Sequence, residues 1–261
     1  MLNYSPWKIE QKAFRPEQEA EIEEQMAFSN GYISQYAFFD EYYSGEQHLG
    51  TFIDVFHGKK AEPVEIPNPT AVSLRLGNER LDLNDWHVDE FYRCLHKGEA
   101  RLERRFTATS PQRHQVEVLA ERQLDRQQPN ILEQTYTVTL RNYAGTASFI
   151  SVIGDPRHAQ QWLPLQMTID EDTAYIWLKS SEQDLQICAA QQHNFFLNGV
   201  LQDERPIKID KKQVLGFAYM RDVFPGDSFT IKKRVAIVDS RNRNKTELPA
   251  AALALLNAQK A

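Results

Sequence analysis

The chain has 261 residues, of which 41% are hydrophobic and 25% are charged, and its formal net charge is −6. These values exclude a disordered or collagen-like chain, and they exclude a nucleic-acid-binding protein that relies on overall positive charge. Two cysteines, no secretion signal and no long apolar segment indicate a reducing, cytoplasmic compartment and no contact with a membrane.

The N-terminal third shows few clear patterns of secondary structure. Glutamates alternate along residues 17–24, and we favour a charged, solvated face over a cation site as their interpretation. Farther along, Asn84 or Asp85 is suited to cap a short helix that extends to Tyr92. The first features predicted in this region are therefore a charged, solvated face and one short helix.

Alternation of apolar and polar residues recurs from residue 72 onward and predicts strands. The predicted strands lie in 72–76, 116–120, 136–140, 147–153, 174–178, 185–189, 215–220 and 229–238. The tail from Leu248 to Lys260 is rich in Ala and Leu and has Pro249 in its first turn, so it predicts a helix. About ten strands with few helices favour a large antiparallel sandwich.

Motifs for catalysis or metal binding are absent from the sequence. The chain has no nucleophile elbow, phosphate loop, dinucleotide fingerprint or paired zinc-ligand motif. Its seven histidines are too widely separated to form a local pair of metal ligands. We therefore expect no metal and no cofactor, although ligands brought together by the fold remain an alternative.

Four tryptophans are candidates for stacking against sugar rings, since a flat apolar face matches the C–H groups of a sugar. Trp162 stands near Pro164 in an expected loop, so it is the candidate for an exposed contact with carbohydrate. Trp177 lies inside an alternating strand and is expected to be buried or half-buried. The basic runs Lys211-Lys212 and Lys232-Lys233-Arg234 are interpreted as turn and outward-facing residues rather than as a nucleic-acid site.

Several short motifs follow one another in a fixed order along most of the chain. They are Trp7-Lys8-Ile9, Glu24 to Asn30-Gly31-Tyr32-Ile33, Phe38-Phe39-Asp40-Glu41, Gly50-Thr51-Phe52, Ile66-Pro67-Asn68-Pro69, Phe91 to Phe106, and Phe224 to Arg241. In this order they resemble the N-terminal domain of glycoside hydrolase family 65, the group of maltose, trehalose and kojibiose phosphorylases. Within them, Asn30-Gly31 suits a tight turn between strands, because both residues tolerate positive φ angles.

The resemblance implies a mainly β fold, a large antiparallel super-sandwich of the galactose-mutarotase type with a few short helices. It implies that residues 1–245 form this N-terminal domain and that 246–261 begin a linker helix toward an (α/α)6 barrel outside this sequence. The family's general acid and phosphate-binding residues belong to that barrel, so we expect no catalytic residue in this chain. Asp40 and Glu41 fall in a matching motif, and we expect them to brace the domain against the barrel.

We therefore predict a noncatalytic scaffold that contacts its own catalytic barrel or a second subunit in a homodimer. The parent protein would be a phosphorylase or hydrolase that inverts and cleaves α-linked glucosyl disaccharides. Two other functions stay open on the sequence. One is an autonomous carbohydrate-binding sandwich that uses Trp162. The other is an aldose-epimerase-like enzyme with His87, His96, His158 or His193 as its acid or base.

Overall fold

The computed structural model describes residues 2–48, 50–57, 60–155 and 160–258, and within these ranges the chain forms 20 strands and two α-helices. The first ten strands are β1 (Leu2–Tyr4), β2 (Lys8–Gln11), β3 (Phe28–Ser29), β4 (Ile33–Gln35), β5 (Thr51–His57), β6 (Lys60–Ile66), β7 (Val72–Leu76), β8 (Glu79–Arg80), β9 (His87–His96) and β10 (Arg101–Thr109). The other ten are β11 (Gln115–Leu124), β12 (Ile131–Leu140), β13 (Gly145–Ile153), β14 (Trp162–Ile169), β15 (Thr173–Ser180), β16 (Gln186–Leu197), β17 (Val200–Leu201), β18 (Ile207–Lys211), β19 (Val214–Val223) and β20 (Ser228–Asp239). The helices are α1 (Glu19–Gln25) and α2 (Leu248–Asn257).

The strands form three sheets, and the paired strands are antiparallel throughout. The large sheet has the order β1-β2-β9-β10-β11-β12-β20-β16-β15-β14, with β17 attached to β16. A five-stranded sheet has the order β18-β19-β13-β7-β8, and a four-stranded sheet has the order β3-β4-β5-β6. The mainly β super-sandwich that the sequence predicts is confirmed.

One hydrophobic core joins the three sheets. Between the large and the five-stranded sheets, Phe229 stacks on Phe149 with ring centroids 3.8 Å apart, and Phe195 stacks on Tyr219 at the same distance. Burying such large rings removes much apolar surface from water, which is the main favourable term in folding. The two sheets are therefore held together chiefly by aromatic packing at this end of the sandwich.

Seven of the eight predicted strand segments fall within observed strands and the eighth, 185–189, begins one residue before β16, but the helix predicted from residue 84 to Tyr92 is wrong. Asp82 instead closes a turn, because its Oδ1 atom accepts hydrogen bonds from the backbone nitrogens of Asn84 and Ser44. Strand β9 then begins at His87 and pairs with β10 along its length. Cross-strand pairing therefore overrides the local capping signal at residues 84–85.

The acidic run in residues 17–24 is only partly a solvated face. It contains α1, on which Glu21 and Glu24 are exposed while Glu19 and Glu23 are completely buried. Residues four apart lie on the same face of a helix, so Glu19 and Glu23 enter the interior together. The interpretation as a charged face is wrong for these two glutamates.

The predicted C-terminal helix is confirmed as α2, although Ala258 follows its last residue and residues 259–261 lie outside the described ranges. Leu248, Ala252 and Leu256 recur every four residues and are buried against the outer face of the large sheet, where Cys188 and Val238 belong to the same cluster. Among the described helices, none is long and apolar enough to cross a membrane. The assignment of residues 246–261 to a linker stays a prediction.

Candidate functional site

A row of polar side chains crosses the inner face of the large sheet, and we call it the polar belt. Each member points into the interior and is at most 3% exposed. In order across the strands, the polar belt consists of Gln11, Arg93, Arg104, Arg122, Gln134, Lys233 and His193. Neighbours in this order are directly opposite in the strand register, except that Arg122 is diagonal to Arg104. Charges at such positions require partners, because burial of an unpaired charge is very unfavourable.

Arg104 is paired with two carboxylates from the segment between β4 and β5. Its Nη1 and Nη2 atoms donate to the two oxygens of Glu41, each at 2.5 Å, and Nη2 also donates to Asp40 at 3.1 Å. Desolvation lowers the pKa of the Arg104 guanidinium, but the Glu41 and Asp40 charges outweigh it and the net pKa is raised. This two-pronged pairing fixes the segment on the sheet.

The segment around Asp40 is also held by its neighbours in the polar belt. Gln134 donates to Asp40 at 2.6 Å and to the carbonyl of Thr70 at 2.8 Å. Arg122 donates to the carbonyl of Phe38 at 2.6 Å, and its Nε atom lies 3.4 Å from Asp40. Because residues 36–43 form no strand, these side-chain bonds take the place of a backbone ladder.

Helix α1 supplies the other two carboxylates. Glu19 accepts from Arg93 at 2.6 Å and from Gln11 at 2.8 Å. Glu23 accepts from the backbone nitrogen of His48 at 2.7 Å. Desolvation raises the pKa of Glu23 to about 7, with the Arg93 charge only partly opposing the shift. Glu19 is therefore held in a buried ion pair with Arg93, whereas Glu23 has a pKa near neutral pH.

Lys233 corrects the interpretation of the run Lys232-Lys233-Arg234 as outward-facing. Lys232 is exposed as predicted, but Lys233 alternates to the inner face, is 2% exposed and donates to the carbonyl of Val152 at 2.7 Å. Desolvation lowers the pKa of Lys233 to about 7. The lysine therefore links the large sheet to the five-stranded sheet through one hydrogen bond.

Two surface grooves flank this interior network. The larger, of about 720 Å³, lies beside β9 and is lined by Lys12, Trp86, His87 and Arg105, among others. His87 in this groove has its Nε2 atom 3.6 Å from Asp89, and the ring is 80% exposed. An exposed pair at this distance is weak, because solvent screens the two charges.

The second groove, of about 470 Å³, lies on the outer face of the five-stranded sheet. Ile150, Val152 and Val214 form its apolar floor, and the ring of Tyr42 borders it. The guanidinium of Arg80 stacks over that ring at 3.3 Å from the centroid. An exposed apolar floor of this kind is typical of surfaces that pack against another protein.

A model of the glycosyl hydrolase family 65 N-terminal domain matches residues 9–261. The chain belongs to this family. A kojibiose phosphorylase from Halothermothrix orenii is 27% identical over 111 residues, which are 41% of this chain and 14% of that protein. A solved structure provisionally assigned as a kojibiose phosphorylase from human microbiome has the same fold, with a TM-score of 0.83 at 17% identity. It matches 100% of this chain but only 36% of its own, so the chain spans about a third of that structure.

In this family 65 domain, Asp40 and Glu41 bind an arginine of the domain itself. Their side chains are 3% and 0% exposed, and both carboxylates bind Arg104. That the two residues brace the domain against the barrel stays a prediction. The two residues lie outside any strand, and their side chains converge on one guanidinium.

Asn30 and Gly31 form the turn that the sequence indicates. Gly31 has a φ of +95°, and the Oδ1 atom of Asn30 accepts from the backbone nitrogens of Tyr32 and Ile33. The Nδ2 atom of Asn30 also donates to the carbonyls of Asp125 and Pro129, at 2.7 and 3.0 Å. This second set of bonds, to a loop 95 or more residues away in sequence, was not predicted.

Trp162 is not the exposed sugar contact that the sequence suggests. It begins β14, is only 2% exposed, and its Nε1 atom donates to the carbonyl of Glu65 at 3.0 Å. Pro164 lies in the same strand, at a bulge, rather than in a loop. Trp177 is half-buried as predicted, and Trp7, 74% exposed, is instead the tryptophan with an open ring face.

Proposed function

We propose that this chain acts as the noncatalytic β-sandwich domain of a family 65 phosphorylase or hydrolase that cleaves α-glucosidic disaccharides. The main support is the commitment of the buried carboxylates to arginines, above all Glu41 to Arg104. Inverting cleavage needs one carboxylic acid and one opposing nucleophile beside a sugar in an open site. Carboxylates that are already bound to arginines of the polar belt are not free for that chemistry, so we expect them to stabilise the scaffold.

The test is an activity assay on the purified 261-residue chain. Maltose, trehalose and kojibiose are each incubated with and without inorganic phosphate, and release of glucose and glucose 1-phosphate is followed. We expect no release above the buffer control, because Asp40 and Glu41, which line the second groove, are already bound to Arg104. Turnover that persists after further purification, and that a substitution in the larger groove such as His87→Ala abolishes, would refute the noncatalytic role.

We further propose that the outer face of the five-stranded sheet contacts the catalytic barrel of the parent protein. Register places Ile207, Ala218 and Ile150 side by side on this face, next to the groove that Tyr42 borders. Ile207 and Met220 are 54% and 50% exposed, so another surface would bury them favourably. A homodimer contact is the other arrangement that such a face would serve.

Cross-linking of the parent protein tests this contact. Lys208 and Lys211 are exposed on β18 at the edge of the proposed contact face, whereas Lys97 lies near the opposite edge of the large sheet. We expect intramolecular cross-links from Lys208 and Lys211 to the barrel, and few from Lys97. The reverse pattern would place the contact elsewhere, and cross-links between two copies at Lys208 would favour the homodimer.

A titration distinguishes a carbohydrate-binding module from a scaffold domain that binds no sugar. The isolated chain is titrated with the same three disaccharides while tryptophan fluorescence is recorded. We expect no saturable change, whereas a change that Trp7→Ala removes would favour a binding module.

The two cysteines, both buried and free, fit the reducing cytoplasm, which we propose as the location of the protein.

A further inference from the structure

A group of buried polar atoms near β16 has no hydrogen-bond partner among the described residues. The atoms are both ring nitrogens of His193, the Oε1 atoms of Gln191 and Gln134, and the hydroxyl of Ser151. We call these four residues the β16 cluster, and each is at most 3% exposed. Buried polar groups in native proteins are almost always satisfied, by protein or by water. The cluster therefore requires an explanation.

Side chains from both sheets meet at the β16 cluster. His193 is directly opposite Lys233, and Lys233 is directly opposite Gln134, on the inner face of the large sheet. Gln191 precedes His193 by two residues and shares its face. Ser151 comes from β13 of the facing sheet, and Lys233 reaches that strand through its bond to the carbonyl of the next residue, Val152. Register therefore places His193 and Gln134 beside Lys233 on one face, and Ser151 precedes the residue that Lys233 binds.

The atoms that lack partners are mainly acceptors. Burial, with a contribution from the Lys233 charge, lowers the pKa of His193 to about 3, so its ring is neutral and has one acceptor nitrogen. The flanking ring of Phe217, whose centroid is 4.5 Å away, offers no donor. The side-chain nitrogens of Gln191 and Gln134 already bind carbonyl or carboxylate oxygens, which leaves their Oε1 atoms without a donor.

Small molecules that both donate and accept would satisfy these groups. Two amide oxygens and one ring nitrogen need donors, while the ammonium of Lys233 has donors beyond the one used on Val152. An anion would accept from the ammonium but would be repelled by the three acceptors. Water can donate twice and accept twice, and buried water is common at such polar sites.

We propose that the β16 cluster binds ordered water between the two sheets. Because one water donates only twice, two waters together donate to Oε1 of Gln191 and of Gln134 and to the acceptor nitrogen of His193, and they accept from Lys233 and Ser151. This inference is independent of the proposed scaffold function, because it depends only on the interior of the sandwich. The site takes solvent water, and a halide is the competing occupant.

A crystal structure of the full chain, grown with bromide at a resolution that shows ordered water, tests the proposal. We expect water density within about 3.2 Å of His193 and Gln191, and no anomalous bromide signal there. A bromide peak would show an anion site and overturn the proposal. A dry cluster, in which the side chains have turned to bond one another, would overturn it equally.

Magnetic relaxation dispersion of water nuclei gives a second measure in solution, since it counts long-lived internal waters. We compare wild type with His193→Phe, which removes both ring nitrogens, and with the control His87→Phe, whose ring is 80% exposed in the native chain. The count should fall by at least one in His193→Phe and stay unchanged in the control. An unchanged count in both would overturn the proposal, and the wild-type crystal structure decides if His193→Phe fails to fold.

Discussion

Replacement of Arg104 by methionine is the sharpest test of the polar belt. Methionine keeps most of the length and the apolar stem of arginine but removes the guanidinium that binds Glu41 and Asp40. Both carboxylates would then remain buried, and Glu41 would lose both of its hydrogen bonds to Arg104. Asp40 would keep Gln134 and Arg122.

The structure sets the size of the effect. The side chains of Arg104 and Glu41 are 2% and 0% exposed, so solvent cannot take over when one partner is removed. Removal of one partner from a buried ion pair costs about 3–5 kcal/mol. For a domain of this size such a loss lowers Tm by roughly 6–20 °C, at ~2–4 °C per kcal/mol.

The assay is equilibrium unfolding in urea with tryptophan fluorescence as the probe. Arg141→Met is the matched control, because Arg141 pairs with Glu117 on the same sheet but the two side chains are 53% and 34% exposed. This control should change the free energy of unfolding by about 1 kcal/mol or less. The double variant Arg104→Met with Glu41→Leu should lose less stability than Arg104→Met alone, since no unpaired Glu41 charge remains.

Two results would refute this reasoning. Equal losses in Arg104→Met and Arg141→Met would show that burial does not strengthen the Arg104 pair. A double variant that is less stable than the single variant by the full cost of a second large truncation would show that the two residues act independently. Either result would show that the polar belt does not hold residues 36–43 on the large sheet.

Three further predictions concern titration and backbone geometry. Because the folded pKa of Glu23 is raised from 4.5 to about 7, its contribution to stability is full below pH 4.5 and is lost as pH rises through 7, by up to about 3 kcal/mol. Thermal unfolding across this range should show the decline in wild type and lose it in Glu23→Gln. The folded pKa of Lys233 is lowered from 10.5 to about 7, so stability should increase between pH 7 and 10.5, and Lys233→Met should remove that increase. If wild type and these variants have parallel pH profiles, the two groups are not buried as described. Gly154→Ala should lower the free energy of unfolding by at least ~1–3 kcal/mol, because φ is +102° and a Cβ would lie 2.0 Å from the Gln213 carbonyl oxygen. Gly199→Ala, with φ +77° and open space around it, should cost less, and equal losses would contradict the steric argument.

Strand segments with apolar residues at successive inward positions, such as 72–76 and 136–140, could be predicted from the sequence, whereas β9 and β10 could not. In β10 the inward residues are Leu102, Arg104, Phe106 and Ala108. The arginine interrupts the alternation of apolar residues, so the sequence of β10 lacks the pattern that predicts a half-buried strand. An arginine between two inward apolar residues is the signal that could have found the polar belt, and it recurs at Arg93 and Arg122.

The burial of the carboxylates that face the polar belt could not be predicted for a different reason. Glu19 and Glu23 share a helix face only once α1 is known to form, and the acidic run lacks the apolar period that predicts a helix. Asp40 and Glu41 converge only through a loop conformation, which no strand or helix period describes. The family resemblance was readable from ordered motifs, but which residues are buried depended on contacts between segments distant in the chain.

The hydrogen bonds around Asn30 affect its deamidation, a chemical degradation of the protein. In Asn-Gly sequences the glycine nitrogen can attack the side-chain amide, release ammonia and leave aspartate or isoaspartate. Here the Asn30 amide is held by four hydrogen bonds, and the Gly31 nitrogen donates to the hydroxyl of Ser29 at 3.0 Å. The native fold therefore protects a labile dipeptide, and deamidation at position 30 would record the time that the chain has spent unfolded.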